Sequence, residues 1–116
     1  MTSAQDGAET SAGLSSHALE ALHNVFSRHT GIERVILYGS RAIGTYRPGS
    51  DIDLTVTGAI EPDEMLQWEV ELDDLLLPQK IDLSLHRFID NPDLLAHIDG
   101  VGRTLYERSQ TQEGVL

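Results

Sequence analysis

Hydrophobic residues in this chain recur at helical spacing in some segments and at strand spacing in others, which is typical of an α/β domain. Helical spacing predicts a first helix over residues 16–29. It predicts a second helix that begins at Pro62 and is stopped by Pro78, with Trp68 and Leu76 among the residues that it turns inward. These segments provide the apolar helix faces that cover a sheet.

Strand spacing takes two forms along the chain. Residues 34–38 are apolar almost throughout, as in a central strand that is covered on both faces. Residues 51–57 and 80–86 alternate polar and apolar positions, so each strand puts its aspartates on one face and its aliphatic residues on the other. A third helix is expected after the Asn91–Pro92 pair, followed by a last short strand over residues 104–106.

Both ends of the chain are polar and have little to bury. Residues 1–13 are expected to form a disordered tail, residues 14–107 one domain, and residues 108–116 a polar C-terminal tail. No repeat or linker divides the middle of the chain. The expected fold is a single α/β domain in which a small mixed sheet is flanked by helices.

Composition excludes several classes of protein. The chain has 116 residues and a formal net charge of −11, which argues against a surface that holds nucleic acid through its phosphates. It has no cysteine and no zinc-binding histidine spacing, so any metal site must use carboxylates or histidines. No apolar run is long enough to span a membrane, and no signal-peptide pattern opens the chain. A cytoplasmic protein without membrane or direct nucleic-acid contact is therefore expected.

Three aspartates stand where strands can gather them. Asp51 and Asp53 are two residues apart on one strand, so both carboxylates lie on the same side and can share a divalent cation. Asp82 lies on the polar face of another strand and adds a third carboxylate if the two strands are neighbours. Carboxylates gathered in this way repel one another and suit Mg²⁺, which takes hard oxygen ligands.

A Gly-Ser turn precedes these aspartates and leads into a predicted short helix over residues 40–43. Gly39 has no Cβ, so a phosphate can approach its backbone, and the Ser40 hydroxyl and nearby N–H groups are suitable donors. Arg41 and Arg47 are candidates to neutralise phosphate charge. Enzymes of phosphoryl or nucleotidyl transfer combine a phosphate-binding turn with metal-binding carboxylates.

Each of these residues also has an ordinary structural interpretation. Paired aspartates can lie on an exposed strand, a Gly-Ser pair can be a simple turn, and arginines are common on surfaces. Trp68 fits the core better than a base-stacking site, and His86, which shares a strand face with Asp82, fits a structural or exposed histidine. Tyr46 lies in a loop, and its role is left open. The combination of the Gly-Ser pair with three aspartates favours the metal site.

The spacing of these residues resembles the signature of minimal nucleotidyltransferases, or MNT domains, which are small members of the DNA polymerase β-like nucleotidyltransferase superfamily. Gly39–Ser40, then ten residues, then Asp51-x-Asp53 match that signature, and Asp82 matches an aspartate expected in a later strand. The likeness covers roughly residues 35–86. Position 43, which is often basic in the family, is Ile43 here.

The resemblance implies the nucleotidyltransferase fold and transfer of a nucleoside monophosphate, with AMP from ATP as the expected case, and release of pyrophosphate. It implies that Asp51, Asp53 and Asp82 are catalytic residues that bind two Mg²⁺ ions, with Asp82 helping to deprotonate the acceptor hydroxyl. Together with the loop chemistry, it predicts a set of nucleotide-binding residues: Gly39, Ser40, Arg41, Arg47 and Ser50.

Stand-alone MNT proteins are similar to antitoxins that pair with a HEPN-domain toxin, a helical ribonuclease, and some of them adenylylate a toxin tyrosine. The resemblance therefore implies a type VII antitoxin that modifies a hydroxyl of a HEPN toxin within a hetero-oligomer. One alternative is a non-catalytic module that neutralises the toxin by covering it, which the acidic net charge favours. Another is a small-molecule nucleotidyltransferase of the aminoglycoside-modifying type, although such enzymes usually add a second domain.

Overall fold

The computed structural model of the protein describes residues 12–108, in which helices and strands alternate along most of the chain. In chain order the elements are helix α1 (Ser16–Ser27), strand β1 (Ile32–Tyr38), helix α2 (Ser40–Ile43), strand β2 (Ile52–Gly58), helix α3 (Pro62–Asp73), strand β3 (Ile81–Leu85), a 3₁₀ turn (His86–Phe88), helix α4 (Pro92–Val101) and strand β4 (Arg103–Glu107). None of the described helices is long and apolar enough to cross a membrane.

The four strands form one mixed sheet in the order β3-β2-β1-β4. Strand β1 pairs antiparallel with both β2 and β4, whereas β2 and β3 are parallel and are connected through α3. The interior position of β1 explains why Val35, Ile36 and Leu37 are all buried. The predictions of a central first strand and of a small mixed sheet flanked by helices are confirmed.

The hydrophobic core lies on one face of this sheet. Strand β2 turns Ile52, Leu54 and Val56 to that face because alternate residues of a strand point the same way. Helices α1 and α3 contribute the residues that cover it: Leu22, Val25, Phe26, Trp68 and Leu72. Trp68 is completely buried, as predicted for a core residue.

The opposite face is polar where β2 and β3 meet. Asp53 and Thr55 of β2 lie beside Asp82 and Ser84 of β3, and the hydroxyl oxygens of Thr55 and Ser84 are 3.0 Å apart. Helix α4 packs against the β1 side of the sheet. The face therefore presents a polar area on β2 and β3, bordered by α4.

The end of helix α3 differs from the prediction, in which the helix turned Leu76 inward. The helix ends at Asp73, and the amides of Leu75 and Leu76 donate to carbonyls three residues back, which tightens the last turn. Leu76 takes a positive φ of 56° and is 85% exposed. The prediction of a buried Leu76 is wrong because the chain leaves the helical path before it reaches Pro78.

The predicted tails fall mainly outside the described residues, since residues 1–11 and 109–116 are not described. Ala12 is buried in the core at the start of the described range. At the other end, the Arg108 amide donates to the Glu33 carbonyl, and its guanidinium donates to the carbonyls of Ile32 and His29. The folded part therefore includes these two residues, which were expected to belong to the tails.

Arg41 anchors the loop that connects α2 to β2. Arg41 is 1% exposed, and its guanidinium donates to backbone carbonyls in the second half of the loop and in the N-terminal segment: Ala12, Arg47, Pro48 and Ser50. The Tyr46 ring stacks over it, 4.9 Å from ring centroid to guanidinium carbon. The expectation that Arg41 contacts phosphate is corrected, because this buried guanidinium already serves the carbonyls of the loop.

Replacement of Arg41 by methionine should therefore destabilise the fold by about 2–4 kcal/mol, because several buried carbonyls lose their donor. Lysine should rescue only part of this loss, since an ammonium group cannot reproduce the planar fork of donors. Urea unfolding of Arg41→Met and Arg41→Lys measures both effects.

The matched control is Arg47→Met, in the same loop, whose side chain is exposed. It should change the free energy of unfolding by less than about 0.5 kcal/mol. If Arg41→Met were as stable as Arg47→Met, the anchoring role of Arg41 would be wrong.

Candidate active site

Strand pairing brings two of the three candidate aspartates together. Asp53 lies directly opposite Asp82 in the parallel pair of β2 and β3, and opposite Tyr38 in the antiparallel pair of β1 and β2. In-register residues of neighbouring strands point to the same face, so these three side chains form a row across the sheet. Asp51 comes just before β2 and is exposed.

The carboxylates repel one another in this arrangement. Partial burial raises the pKa of Asp53 above its ordinary value, and the negative charges of Asp82 and Asp51 raise it further. A protonated His97 would act in the opposite direction and favour the ionised carboxylate. The site therefore holds more negative charge than its surroundings neutralise.

A hard divalent cation fits this donor set. Carboxylate oxygens are the ligands that Mg²⁺ takes, and a cation between Asp53 and its two acidic neighbours would relieve the repulsion that raises the Asp53 pKa. Within residues 12–108, however, no three acidic or histidine side chains already converge at metal-binding distances. The donors are in place as neighbours, and their side chains would need to turn toward a bound ion.

Gly39 makes room for Asp53. It follows β1 with a φ of +76°, and a Cβ at this position would lie 2.3 Å from Oδ2 of Asp53. Only glycine combines this backbone conformation with such a close approach. The Gly39 carbonyl accepts the amides of Ala42 and Ile43, so the turn continues directly into α2, where Ser40 is the first residue. The Gly-Ser turn and the carboxylate of Asp53 are therefore in direct contact.

The remaining candidate nucleotide-binding residues lie along the loop. Arg47 is exposed. The hydroxyl of Ser50 accepts the Arg47 amide at 2.8 Å, and the Ser50 amide returns a hydrogen bond to the Arg47 carbonyl at 2.9 Å. Ser50 therefore closes a turn in this structure. Tyr46, whose role the sequence left open, packs its ring closely against Gly13 as well as Arg41.

Two residues at the site were not singled out by their sequence context. Tyr38 ends β1 beside Asp53; burial raises its phenolic pKa, the nearby Ser84 hydroxyl partly offsets this, and the charges of Asp82 and Asp53 raise the pKa further. His97 of α4 accepts the Gly39 amide on Nε2 at 3.0 Å. The sequence carried a signal for His97, because it lies three residues after Leu94 on the inward stripe of its helix.

His86, which was interpreted as structural or exposed, lies in the 3₁₀ turn after β3 and is half-buried. Its carbonyl accepts the Ile89 amide and closes that turn. The residues that meet at the end of β1 and the start of β2 are Tyr38, Gly39, Asp53 and His97, with Asp82 adjacent on β3. They combine backbone and hydroxyl donors with carboxylates, which is the chemistry that binds a phosphate group together with a cation.

Comparison with known proteins assigns the family. The model of the family described as "Polymerase beta, Nucleotidyltransferase" matches residues 20–111, which is most of the chain. The protein belongs to this nucleotidyltransferase family. A search of curated protein sequences finds no significant match.

Solved structures with the same fold include toxin–antitoxin proteins. A toxin–antitoxin structure with AMP-PNP is 21% identical, with a TM-score of 0.63 over 82% of this chain and 77% of the other. A complex of MNT antitoxin with a tri-AMPylated HEPN toxin from Shewanella oneidensis is 18% identical, with a TM-score of 0.58 over 84% and 76%. A predicted nucleotidyltransferase from Sulfolobus solfataricus is 19% identical, with a TM-score of 0.55 over 95% of both chains. At these identities the likeness establishes the nucleotidyltransferase fold.

The contact between Gly39 and Asp53 can be tested by substituting alanine for Gly39, which adds a methyl group at the point of contact. Gly39→Ala should cost about 1–2 kcal/mol in stability because of its positive φ, and its Cβ should push the Asp53 carboxylate aside. Any stabilisation that Mg²⁺ gives to the wild type in thermal unfolding should then be lost. Gly44→Ala is the matched control, because Gly44 has a φ of +101° but open space around its Cβ position. Equal Mg²⁺ responses in the two variants would contradict the proposed contact.

The raised pKa of Asp53 predicts a dependence of stability on pH. The folded state binds the Asp53 proton more tightly than the unfolded chain does, so ionisation of this group opposes folding. Below about pH 2.5, more than one unit under the ordinary aspartate pKa, the carboxyl is protonated in both states, and the stability difference between wild type and Asp53→Asn should be constant. As the pH rises through the ordinary aspartate pKa toward neutral, Asp53→Asn should gain stability relative to wild type. Thermal unfolding in EDTA measures the difference.

The control for this series is Glu20→Gln, an exposed change on α1, which packs on the other face of the sheet. Adding Mg²⁺ at pH 7 should raise the unfolding midpoint of wild type and of Glu20→Gln, and leave that of Asp53→Asn unchanged. A difference between wild type and Asp53→Asn that does not vary with pH would overturn the electrostatic account of this site.

Proposed function

We propose that the protein is an Mg²⁺-dependent nucleotidyltransferase that transfers AMP from ATP to a hydroxyl of a partner protein, and that it acts as the antitoxin of a HEPN-domain toxin. One observation carries the proposal: Asp53 lies in register with Asp82 and in contact with Gly39, in a chain of the polymerase β nucleotidyltransferase family. This geometry supports a carboxylate pair directly beside a phosphate-binding turn.

The proposed roles follow from the chemistry of each group. Asp51, Asp53 and Asp82 would hold the cations, which neutralise the phosphates and align them for in-line displacement. The amide of Gly39 and the hydroxyl of Ser40 would bind the outgoing phosphates. The acceptor oxygen forms a bond to the α-phosphorus, the bond to the pyrophosphate oxygen breaks, and the hydroxyl proton passes to the carboxylate of Asp82.

The structural neighbours support the choice of nucleotide donor and of partner protein. One neighbour contains AMP-PNP, an ATP analogue, and another is an MNT antitoxin in complex with a tri-AMPylated HEPN toxin. The net charge of −11 also suits a partner that carries basic residues near an RNA-binding site. ATP is therefore the proposed donor, and a HEPN toxin is the proposed acceptor.

Incubation with ATP labelled on the α-phosphate, Mg²⁺ and the product of the adjacent reading frame should label that product. Asp51→Asn and Asp53→Asn should each lower the rate by at least about 100-fold, because each removes an oxygen ligand from the cation site. The measurement is label incorporated into the partner, with mass spectrometry to count the nucleotides added. Glu20→Gln should label at the wild-type rate.

Catalysis and simple binding give different results in the same experiment. If neutralisation depends on modification, Asp51→Asn and Asp53→Asn should bind the partner and fail to neutralise it. If both variants neutralise as well as wild type and nothing is labelled, the proposed activity is wrong, and the protein acts by covering its partner.

A further inference from the structure

A histidine of α4 already accepts a hydrogen bond from a backbone amide of the proposed phosphate-binding turn. The Gly39 amide donates to Nε2 of His97 across a distance of 3.0 Å. Gly39 directly follows β1 and contacts Asp53, so this hydrogen bond lies inside the candidate site. The chemistry proposed above does not use His97.

The hydrogen bond defines the state of the imidazole ring. A backbone N–H can only donate, so Nε2 must be the unprotonated, accepting nitrogen of a neutral ring whose proton is on Nδ1. The tautomer follows from this contact because the backbone donor is fixed. In this structure His97 is therefore a neutral hydrogen-bond acceptor and not a positively charged phosphate ligand.

The position of the His97 ring is fixed by helix α4 and by a contact with Tyr38. Asn91 caps the helix by accepting the amides of Asp93 and Leu94, and the next residue after His97, Ile98, is buried. The ring also meets the Tyr38 ring edge to face, with centroids 6.1 Å apart. His97 itself is half-buried, so part of its side chain is open to solvent.

One amide hydrogen makes one strong hydrogen bond. A phosphate oxygen that binds the Gly39 amide must take the place of Nε2, and an anionic oxygen is the stronger acceptor of the two. The bond to His97 and the proposed bond to phosphate therefore exclude each other. The nucleotide-free protein and the nucleotide complex differ in the acceptor of this amide.

We propose that His97 is a positioning residue that holds the Gly39–Ser40 turn in the nucleotide-free protein, and that the nucleotide phosphates displace it from the Gly39 amide. The inference rests on the proposed function, since it takes the Gly-Ser turn as the phosphate site. Its consequence is that phosphate entry is linked to α4: when the nucleotide binds, the hydrogen bond from His97 to the turn is released.

An NMR measurement on the full chain tests the displacement directly. An N–H···N hydrogen bond transmits a scalar coupling between its two nitrogens, so the ¹⁵N-labelled free protein should show one between the Gly39 amide and Nε2 of His97. Saturation with Mg²⁺ and AMP-PNP should abolish this coupling and shift both resonances. A coupling that persists at saturation, or that is absent from the free protein, overturns the inference.

Variants of His97 give a second readout. His97→Phe keeps a ring but removes the acceptor, so AMP-PNP should bind about 2- to 10-fold more tightly because the phosphate no longer competes with a hydrogen bond. His97→Gln, whose side-chain oxygen can accept the amide, should bind near the wild-type level. His17→Phe, at an exposed position of α1, controls for the replacement of an imidazole by a larger apolar ring. Weaker binding by His97→Phe than by His97→Gln would contradict displacement.

The two proposals fail in different ways. If AMP-PNP shifts no resonance of the Gly-Ser turn or of Asp53, the proposed function fails, and the displacement fails with it. If it shifts those resonances and leaves the coupling from the Gly39 amide to His97 intact, the nucleotide site stands and only the role of His97 is wrong.

Discussion

The parallel pairing of β2 with β3 is the constraint on which the site depends. It places Asp53 opposite Asp82, on the face of the sheet that the core does not use. A shift of one residue would turn every side chain of β3 to the other face and bury its aspartate among aliphatic residues. The core residues Leu54 and Leu83, paired in the same register, prevent that shift. The register that stabilises the domain is thus the register that gathers the carboxylates.

Two residues determine the conformation of the segment between β1 and β2. Gly39 has no Cβ, which lets the Asp53 carboxylate approach the turn. Arg41 supplies hydrogen-bond donors, since its buried guanidinium satisfies carbonyls in the second half of the loop that connects α2 to β2 and the carbonyl of Ala12. Together they hold a loop with little apolar content in a single conformation. The charge that accumulates beside it, seen in the raised pKa of Asp53, is then available to a cation.

Local patterns predicted most of the fold and the core of the site. The strand alternation around Asp53 and Asp82, the central first strand and the burial of Trp68 depend on side chains of single segments, and all appear in the structure. The errors have another origin. Arg41 looked like a phosphate ligand because its type and position suit one, whereas its partners are carbonyls of the following loop and of Ala12 in the N-terminal segment. His97 is far from the Gly-Ser turn in sequence, and only packing of α4 brings it there.

The sequence alone determined the aspartates, the Gly-Ser turn, the faces on which they lie and the resemblance to MNT domains, because spacing along a strand decides which side chains share a face. Tertiary structure decided which groups these residues meet. Strand order made Asp82 the neighbour of Asp53, packing of α4 placed His97 at the Gly39 amide, and the fold of the N-terminal segment placed the Ala12 carbonyl at Arg41. The physical reason is that a hydrogen bond or a charge pair depends on distances of a few ångströms in space, which separation along the chain does not specify.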